Sequence, residues 1–230
     1  MSLVPDNLLS DIPMDFEGWW RVQGESVEPA NVRRNGESGV DRLTTSSGVL
    51  YVKRQRNHLF HSLRYPLGLP TFMREKFAIQ ALEQLGIRVP EIVFADARKI
   101  SGEWQAILVT KELHGFSDLE QWYGKGGRER LGEQQHQQFL LKIGQLLGVL
   151  HHHRWQHTCL YPKHIFVTQG DNTQLPDIAL LDLEKARRRL FGKHAAQRDL
   201  DQLRRHSLMW NEQDWKRILA GHHDRINLPH

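Results

Sequence analysis

A single cysteine, Cys159, stands among 230 residues. That excludes an intrachain disulfide and fits a reducing compartment. No apolar run approaches the ~20 residues that a membrane-spanning helix needs. The N-terminal stretch MSLVPDNLLSDIPMDF is acidic and broken by proline, without the basic-then-apolar order of a secretory signal. These absences together favour the cytoplasm. Internal repeats, low-complexity tracts and long Pro/Ser linkers are also missing, so two lobes sharing a cleft fit better than two independent domains. Charge of one sign is not in large excess: the formal net charge is +4 and the pI about 9.3. Acidic partners suit that balance: phosphorylated ligands, anionic lipid or nucleic acid. The densest cluster, Arg187-Arg188-Arg189, reads as a solvated face, and no aromatic-interleaved basic platform points to nucleic acid.

What is present divides the chain near residue 112. Residues 12–30, with Phe16, Trp19 and Trp20, read as a helix or extended packing segment. Over 32–54, glycine turns at Gly36/Gly39 and Ser47-Gly48 separate β-forming runs, the pattern of a three-stranded antiparallel meander. In TFMREKFAIQALEQLG, Phe72, Phe77, Ala78, Ala81, Leu82 and Leu85 recur at helical spacing between an N-cap at Thr71 and a stop at Gly86. RVPEIVFADAR and WQAILVTKEL read as strands joined by a turn from Lys99 to Gly102. Beyond Leu113 helices dominate: a capped one in SDLEQWYG, a Gly/Arg-rich link from Gly124 to Gly132, a long helix through EQQHQQFLLKIGQLLGVLHHHR, and residues 195–220. Between them lie HTCLYPKHIFV, a loop entering a strand, and DIALLDLEKARR, a buried strand with Asp182 at its end. The expected class is α+β, with an antiparallel-sheet lobe over 12–112 and a mainly helical lobe over 113–230.

Four features carry chemistry. A glycine turn, Asn35-Gly36-Glu37-Ser38-Gly39, lets backbone amides approach phosphates. Lys53, ending a β-rich run, can set a point charge on phosphate oxygens. Glu75, on the next helix, can orient that lysine. Asp182 offers carboxylate oxygen to a hard cation such as Mg²⁺. Each alone is commonly just a turn, an edge residue, a helix-dipole partner or a turn former. Their order, with a hinge-like Lys111-Glu112-Leu113 and a loop at 157–164 between, is far more specific, and is that of phosphoryl transfer in kinases.

The chain resembles the lipopolysaccharide kinase (Kdo/WaaP) family, in particular its InaA-like branch, through RRNGESGV, LYVKRQ, REKFAIQALEQLGIRVPEIVFA, LHHHRWQH with LYPKHIFV, and ALLDLEKARR. The resemblance runs from about residue 16 to 210. It implies a small protein-kinase-like fold with ATP and Mg²⁺ in the cleft, and a sugar or glycolipid-borne acceptor, which admits peripheral association with the inner membrane. Carried over, Gly36, Ser38 and Gly39 cover the phosphates and Lys53 binds them with Glu75 as its partner. Glu112 and Leu113 line the hinge, and His164 with Asp182 holds the metal.

Departures are as informative. Where kinases carry the catalytic aspartate, this chain has Cys159; His164 takes the asparagine position, and Asp-Phe-Gly becomes Asp182-Leu183-Glu184. Losing the base weakens catalysis, since general base help is typically worth ~10²- to 10⁴-fold. Cys159 could act as a thiolate beside the Lys163 cation or pack as a small half-buried residue. The alternative is a nucleotide-binding pseudokinase that transfers nothing. His151-His152-His153 and His157 point to different helix faces and read as capping or cleft-lining residues rather than ligands. Only 48 residues follow Asp182, too few for a peptide-binding lobe, which again suggests a small acceptor. Asp199 and Asp201 read as capping and surface residues.

Overall fold

The computed structural model describes residues 12–33, 36–62 and 65–226. They form two compact units, one of residues up to Phe77 with Pro90–Glu112, the other of Ala78–Val89 with Leu113 onward. No helix among the described residues is long and apolar enough to cross a membrane.

The first unit begins with α1 (Phe16–Arg21), capped by Asp15, whose carboxylate accepts from Gly18 N at 2.8 Å. The helix is shorter than the aromatic segment suggests, because the backbone is extended at Val22 and β1 (Glu25–Arg33) has begun by residue 25. β2 (Gly36–Thr45) and β3 (Gly48–Arg56) complete an antiparallel meander. β1 and β2 join through residues 34–35, so Asn35 of the expected glycine turn lies outside the described residues. Gly36, Ser38 and Gly39 are strand residues rather than a turn, because the ladder pairs them with Arg33, Asn31 and Arg54.

A small hairpin of β4 (Leu59–Phe60) and β5 (Leu69–Pro70) precedes α2 (Thr71–Gln84). β6 (Ile92–Ile100) and β7 (Glu103–Lys111) turn at Ser101-Gly102, both at positive φ. That two-residue turn is tighter than the expected Lys99–Gly102 and suits glycine's conformational freedom. The sheet order is β1-β2-β3-β7-β6.

Side-chain alternation sorts β3 into two faces. Leu50 and Val52, with Ile107 and Val109 of β7, form a core with Phe16 and Trp19 of α1. Tyr51, Lys53 and Gln55 occupy the other face. Gln55, 2% exposed, starts α2: its carbonyl accepts from the Thr71 hydroxyl at 2.9 Å and Phe72 N at 3.0 Å, and its amide donates to His58 O at 2.6 Å. Thr71 is therefore the first helical residue and not the cap. A side chain from the sheet meets a backbone donor that the helix start leaves open. Along α2, Phe72, Met73, Ala78, Ile79 and Leu82 are buried, while Phe77 is exposed. Residues 78–84 of the helix group with the second unit, a division that the local sequence pattern does not show.

The second unit contains β8 (Phe116–Asp118), α3 (Leu119–Gly124), α4 (Gly127–His152), β9 (Trp155–Gln156), β10 (Ile165–Thr168), β11 (Ile178–Leu180), β12 (Arg187–Arg188), α5 (Gly192–His206) and α6 (Glu212–Ile226). Asp118 caps α3, accepting from Gln121 N at 2.9 Å. β10 pairs antiparallel with β11 and β8, and β12 with β9. Most of the expected Gly/Arg link is the first part of α4, which kinks at Gly132. The single helical stretch expected over 195–220 is interrupted at residues 207–211. α4 and α6 pack backbone to backbone: a Cβ on Gly144 would overlap Ile218 O, and one on Gly221 would overlap Leu141 O. Glycine is what permits that approach.

The helix start gives a direct test. Gln55→Ala should lower stability by about 2 kcal/mol, through a lost cap and a buried donor left open. Thr71→Ala, which leaves Gln55 bonded to Phe72 N, should cost less. Urea unfolding of both variants measures this; a Thr71→Ala loss equal to or larger than the Gln55→Ala loss would restore Thr71 as the cap.

Candidate active site

In the first unit Lys53 Nζ donates to Glu75 Oε1 at 2.6 Å. The side chains are unequally buried, Glu75 at 4% exposure and Lys53 at 21%. The arrangement follows from local rules: alternation sets Lys53 on the α2 side of β3, and Gln55 two residues on fixes where α2 begins. Lys53 pairs in register with Val40, so the β2 residues Gly36, Ser38 and Gly39 run along the strand beside it. At the unit's end, Glu112 N donates to Val49 O at 2.8 Å, and the Tyr51 hydroxyl lies 3.4 Å from Glu112 Oε1. The chain passes into the second unit between Glu112 and Leu113.

In the second unit the loop HTCLYPKH is fixed by its backbone. Asp199 of α5, fully buried, accepts from His157 N at 2.6 Å and Thr158 N at 2.9 Å. Gln202, one turn along, accepts from Leu160 N at 3.1 Å. Thr158 sits at φ 70°, uncommon for a β-branched residue and costly without such support. Residues 162–164 then make a 3-10 turn into β10.

The same loop is tied to the segment bearing Asp182. His157 Nε2–H donates to Leu181 O at 2.8 Å, Leu181 N donates to His164 O at 2.9 Å, and the Thr158 hydroxyl donates to Lys185 O at 3.0 Å. Burial pushes the His157 pKa below the ordinary imidazole value, so the ring donates from Nε2 as a neutral group. His164 stacks on it, ring centres 5.9 Å apart. His164 Nδ1–H donates to Cys159 O at 2.6 Å, which turns Nε2 away from that bond. That atom faces Asp182 Oδ2 at 3.5 Å. A ring nitrogen and a carboxylate oxygen so placed could hold a cation between them, and a ligating histidine is oriented in this way by what its other nitrogen bonds. Asp182 holds a left-handed backbone, φ 57°, which Asp tolerates better than most residues. Cys159 is half-buried, with no partner at its Sγ among the described residues. Lys163 lies over the Tyr161 ring, 5.9 Å from its centre.

The sequence reading assigned Asp199 to capping or the surface. The structure corrects this, since its carboxylate anchors the loop. The sequence did carry a signal: Ala195, Asp199 and Leu203 form one buried stripe on α5, and a carboxylate in an apolar stripe asks for donors. Asp201 is exposed, as expected. His151 is likewise buried rather than lining a cleft, its Nε2 3.2 Å from Asp199 Oδ2 and its Nδ1 2.9 Å from His222 Nε2. Burial, with the nearby His151 and His223, lowers the His222 pKa to about 4.

A second polar cluster went unread. Glu133, His136 and Asp214 bring metal-ligand atoms within 4.8 Å of one another. Arg128 already donates to Asp214 at 2.9 Å and to Glu133 at 3.0 Å, however, and Gln137 to Glu133 at 2.8 Å. Tyr123 links His136 to Trp210, each at 2.7 Å. This is an internally paired network joining α3, α4 and α6.

A mixed sheet-and-helix first unit, a lysine paired with a buried helix glutamate, and a buttressed loop beside an exposed aspartate define a protein-kinase-like α+β fold. WaaP in complex with acyl carrier protein superposes with a TM-score of 0.69 at 20% identity, over 90% of this chain and 81% of that one. The model of the lipopolysaccharide kinase (Kdo/WaaP) family matches residues 17–222. Protein InaA of Escherichia coli (strain K12) is 40% identical over 206 residues, 90% of this chain and 94% of that protein. The 3-deoxy-D-manno-octulosonic acid kinase of Pasteurella multocida (strain Pm70) is 29% identical over 153 residues, 63% of this chain and 60% of that protein. The chain belongs to the lipopolysaccharide kinase (Kdo/WaaP) family.

The anchor is testable through stability. Asp199→Asn keeps one acceptor oxygen and turns an NH₂ toward a backbone N–H or His151. It should cost about 3 kcal/mol in urea unfolding, in the range for lost charge-assisted bonds at a buried site. Asp201→Asn should stay within about 0.5 kcal/mol of the parent. Equal, small effects at both positions would remove Asp199 from the frame of the loop.

Proposed function

We propose that this protein transfers the terminal phosphate of ATP to a hydroxyl of a sugar or other small acceptor. His164 Nε2 and Asp182 Oδ2, 3.5 Å apart, carry the reading, because a ring nitrogen and a carboxylate oxygen turned toward each other are a ligand pair that a divalent cation can take. A divalent ion bound there would neutralise charge on the phosphates. Mg²⁺ is the hard ion such sites usually take, and Mn²⁺ is the other ion that the Asp182 carboxylate suits. Lys53, held by Glu75, would place its ammonium on phosphate oxygens. Gly36, Ser38 and Gly39 would offer a stretch of β2 of little bulk beside it, and the backbone of Glu112 and Leu113 would take the base of the nucleotide. Cys159 would stand where the acceptor hydroxyl arrives. The family and the sugar-acid kinase among the relatives support a sugar acceptor.

One observation favours a second reading. By the family resemblance Cys159 falls where kinases carry the base carboxylate, so a nucleotide-binding pseudokinase without transfer activity is the alternative, and turnover separates the two.

Binding can be read as thermal stabilisation by ATP, alone and with Mg²⁺ or Mn²⁺. Saturation at about a hundred times Kd adds ~2.7 kcal/mol. Lys53→Met alone removes the cation from the buried Glu75 and should cost about 3 kcal/mol. Lys53→Met/Glu75→Gln removes both charges of the pair and should still lose the nucleotide shift. Asp182→Asn should lose the metal-dependent part more than the nucleotide-only part. Full ATP binding by the double variant would defeat the phosphate-binding role, and equal losses in Asp182→Asn would make that residue structural.

The base position has its own test. Cys159→Asp restores a carboxylate of similar size and should raise ATP turnover by up to ~10²-fold, while Cys159→Ser stays at or below the parent. Phosphate release is measured with a sugar acceptor, melting temperatures alongside. A stable, nucleotide-binding Cys159→Asp protein with no gain would support the pseudokinase.

A further inference from the structure

The stretch Lys185-Ala-Arg-Arg-Arg-Leu-Phe-Gly-Lys193 belongs to neither pair of site residues. Leu190 is 82% exposed and Phe191 64%, two adjacent large apolar side chains facing solvent. Lys185, Arg187, Arg188, Lys193 and Arg198 are exposed around them in the sequence. No acidic residue occurs from Lys185 to Arg198, and none of those five cations is ion-paired among the described residues.

The patch is also anchored. β12 pairs with β9 through Arg187 and Arg188. Arg189 N donates to Arg154 O at 2.7 Å, and Arg189 Nε donates to Gln156 Oε1 at 2.5 Å. The expected solvated face thus has one member, Arg189, built into the structure. Gly192 then opens α5 against the end of α4, where a Cβ would overlap His151 O. Leu190 and Phe191 are therefore offered from a segment fixed on both sides. Burial and the like charges of Arg187 and Arg198 push the Arg189 pKa below its ordinary value, which places these cations within electrostatic reach of one another.

We propose that Leu190 and Phe191 form an insertion point for an anionic lipid bilayer, with Arg187, Arg188 and Lys193 on the headgroups. A bilayer offers both chemistries in the same order, hydrocarbon beneath a negatively charged surface. Unpaired cations repel one another in the free protein and gain from an anionic partner. Nucleic acid would supply the charge but no apolar layer for Leu190 and Phe191. The proposal goes beyond the phosphotransfer reading and does not depend on turnover.

The test is co-sedimentation of the whole protein with vesicles of phosphatidylcholine, with or without phosphatidylglycerol. The parent should bind the anionic vesicles and only weakly the neutral ones. Leu190→Ser/Phe191→Ser should weaken binding by about tenfold or more, the loss expected when a large apolar side chain no longer leaves water. Arg187→Gln/Arg188→Gln should weaken it by about fivefold for each charge near the surface. Both variants change exposed side chains and should keep the parent melting temperature. Absence of parental binding to anionic vesicles would overturn the proposal. So would undiminished binding by the Leu190→Ser/Phe191→Ser protein, whether the attachment then proved purely electrostatic or lay elsewhere on the surface.

Discussion

The carboxylate of Asp199 decides the form of the second unit's loop. It is fully buried, and a buried carboxylate is tolerable only where donors converge on it. Two backbone amides and the His151 ring do so. The reverse dependence is as strong. A β-branched residue at the positive φ of Thr158 costs about 1–3 kcal/mol, and each charge-assisted bond returns about 1.5–3 kcal/mol, so the two bonds to His157 and Thr158 outweigh the strain. Once the loop is set, His157 and His164 have one available direction each for their donating nitrogens. His157 bonds Leu181 O and His164 bonds Cys159 O. The direction in which His164 Nε2 meets Asp182 is thus a consequence of an anchor on another helix.

The first unit reaches a comparable result through the alternation of a single strand. The Leu50 and Val52 face of β3 joins the apolar core, and the opposite face holds Tyr51, Lys53 and Gln55. Gln55 fixes the first turn of α2, and four residues further along that helix Glu75 meets Lys53. A slip of one residue in β3 would exchange the two faces and lose both contacts. Position in the strand, more than any special feature of lysine, gives Lys53 its partner.

Lys53, Glu75, His164 and Asp182 were legible in the sequence because each sits at a place that local pattern marks: a strand, the first part of a helix, a loop of fixed spacing, the end of an apolar run. The strand and helix content was legible for the same reason. Gln55 as a cap was not, because its partners Thr71 and Phe72 are 16 and 17 residues away and no local rule pairs them. Asp199 bonds residues 41 and 42 positions earlier, and only its place in the Ala195–Leu203 stripe hints at burial. Gly36 and Gly39 misled in the other direction. Glycine marks turns by frequency, while here the register of β1 and β2 carries the ladder through them.

The buried pair bears on whether a chain with Cys159 still handles nucleotide. An ion pair such as Lys53–Glu75 is a poor source of stability, because desolvating both groups offsets much of their attraction, and well-packed apolar replacements are often equal or better by about 1–4 kcal/mol. Folding alone therefore gives no reason for a glutamate at 4% exposure beside a lysine at 21%. A reason appears if the exposed part of Lys53 meets an anion and Glu75 keeps the ammonium directed toward it. The strained Thr158 and the left-handed Asp182 fall under the same reasoning: both are unfavourable for the free fold, and both hold the His164–Asp182 pair in place. Under the proposed reading, a thiol at the base position would forgo one contribution, worth ~10²- to 10⁴-fold in rate. Phosphoryl transfer depends chiefly on positioning and charge stabilisation, and in that reading these would fall to Lys53, Glu75, His164 and Asp182.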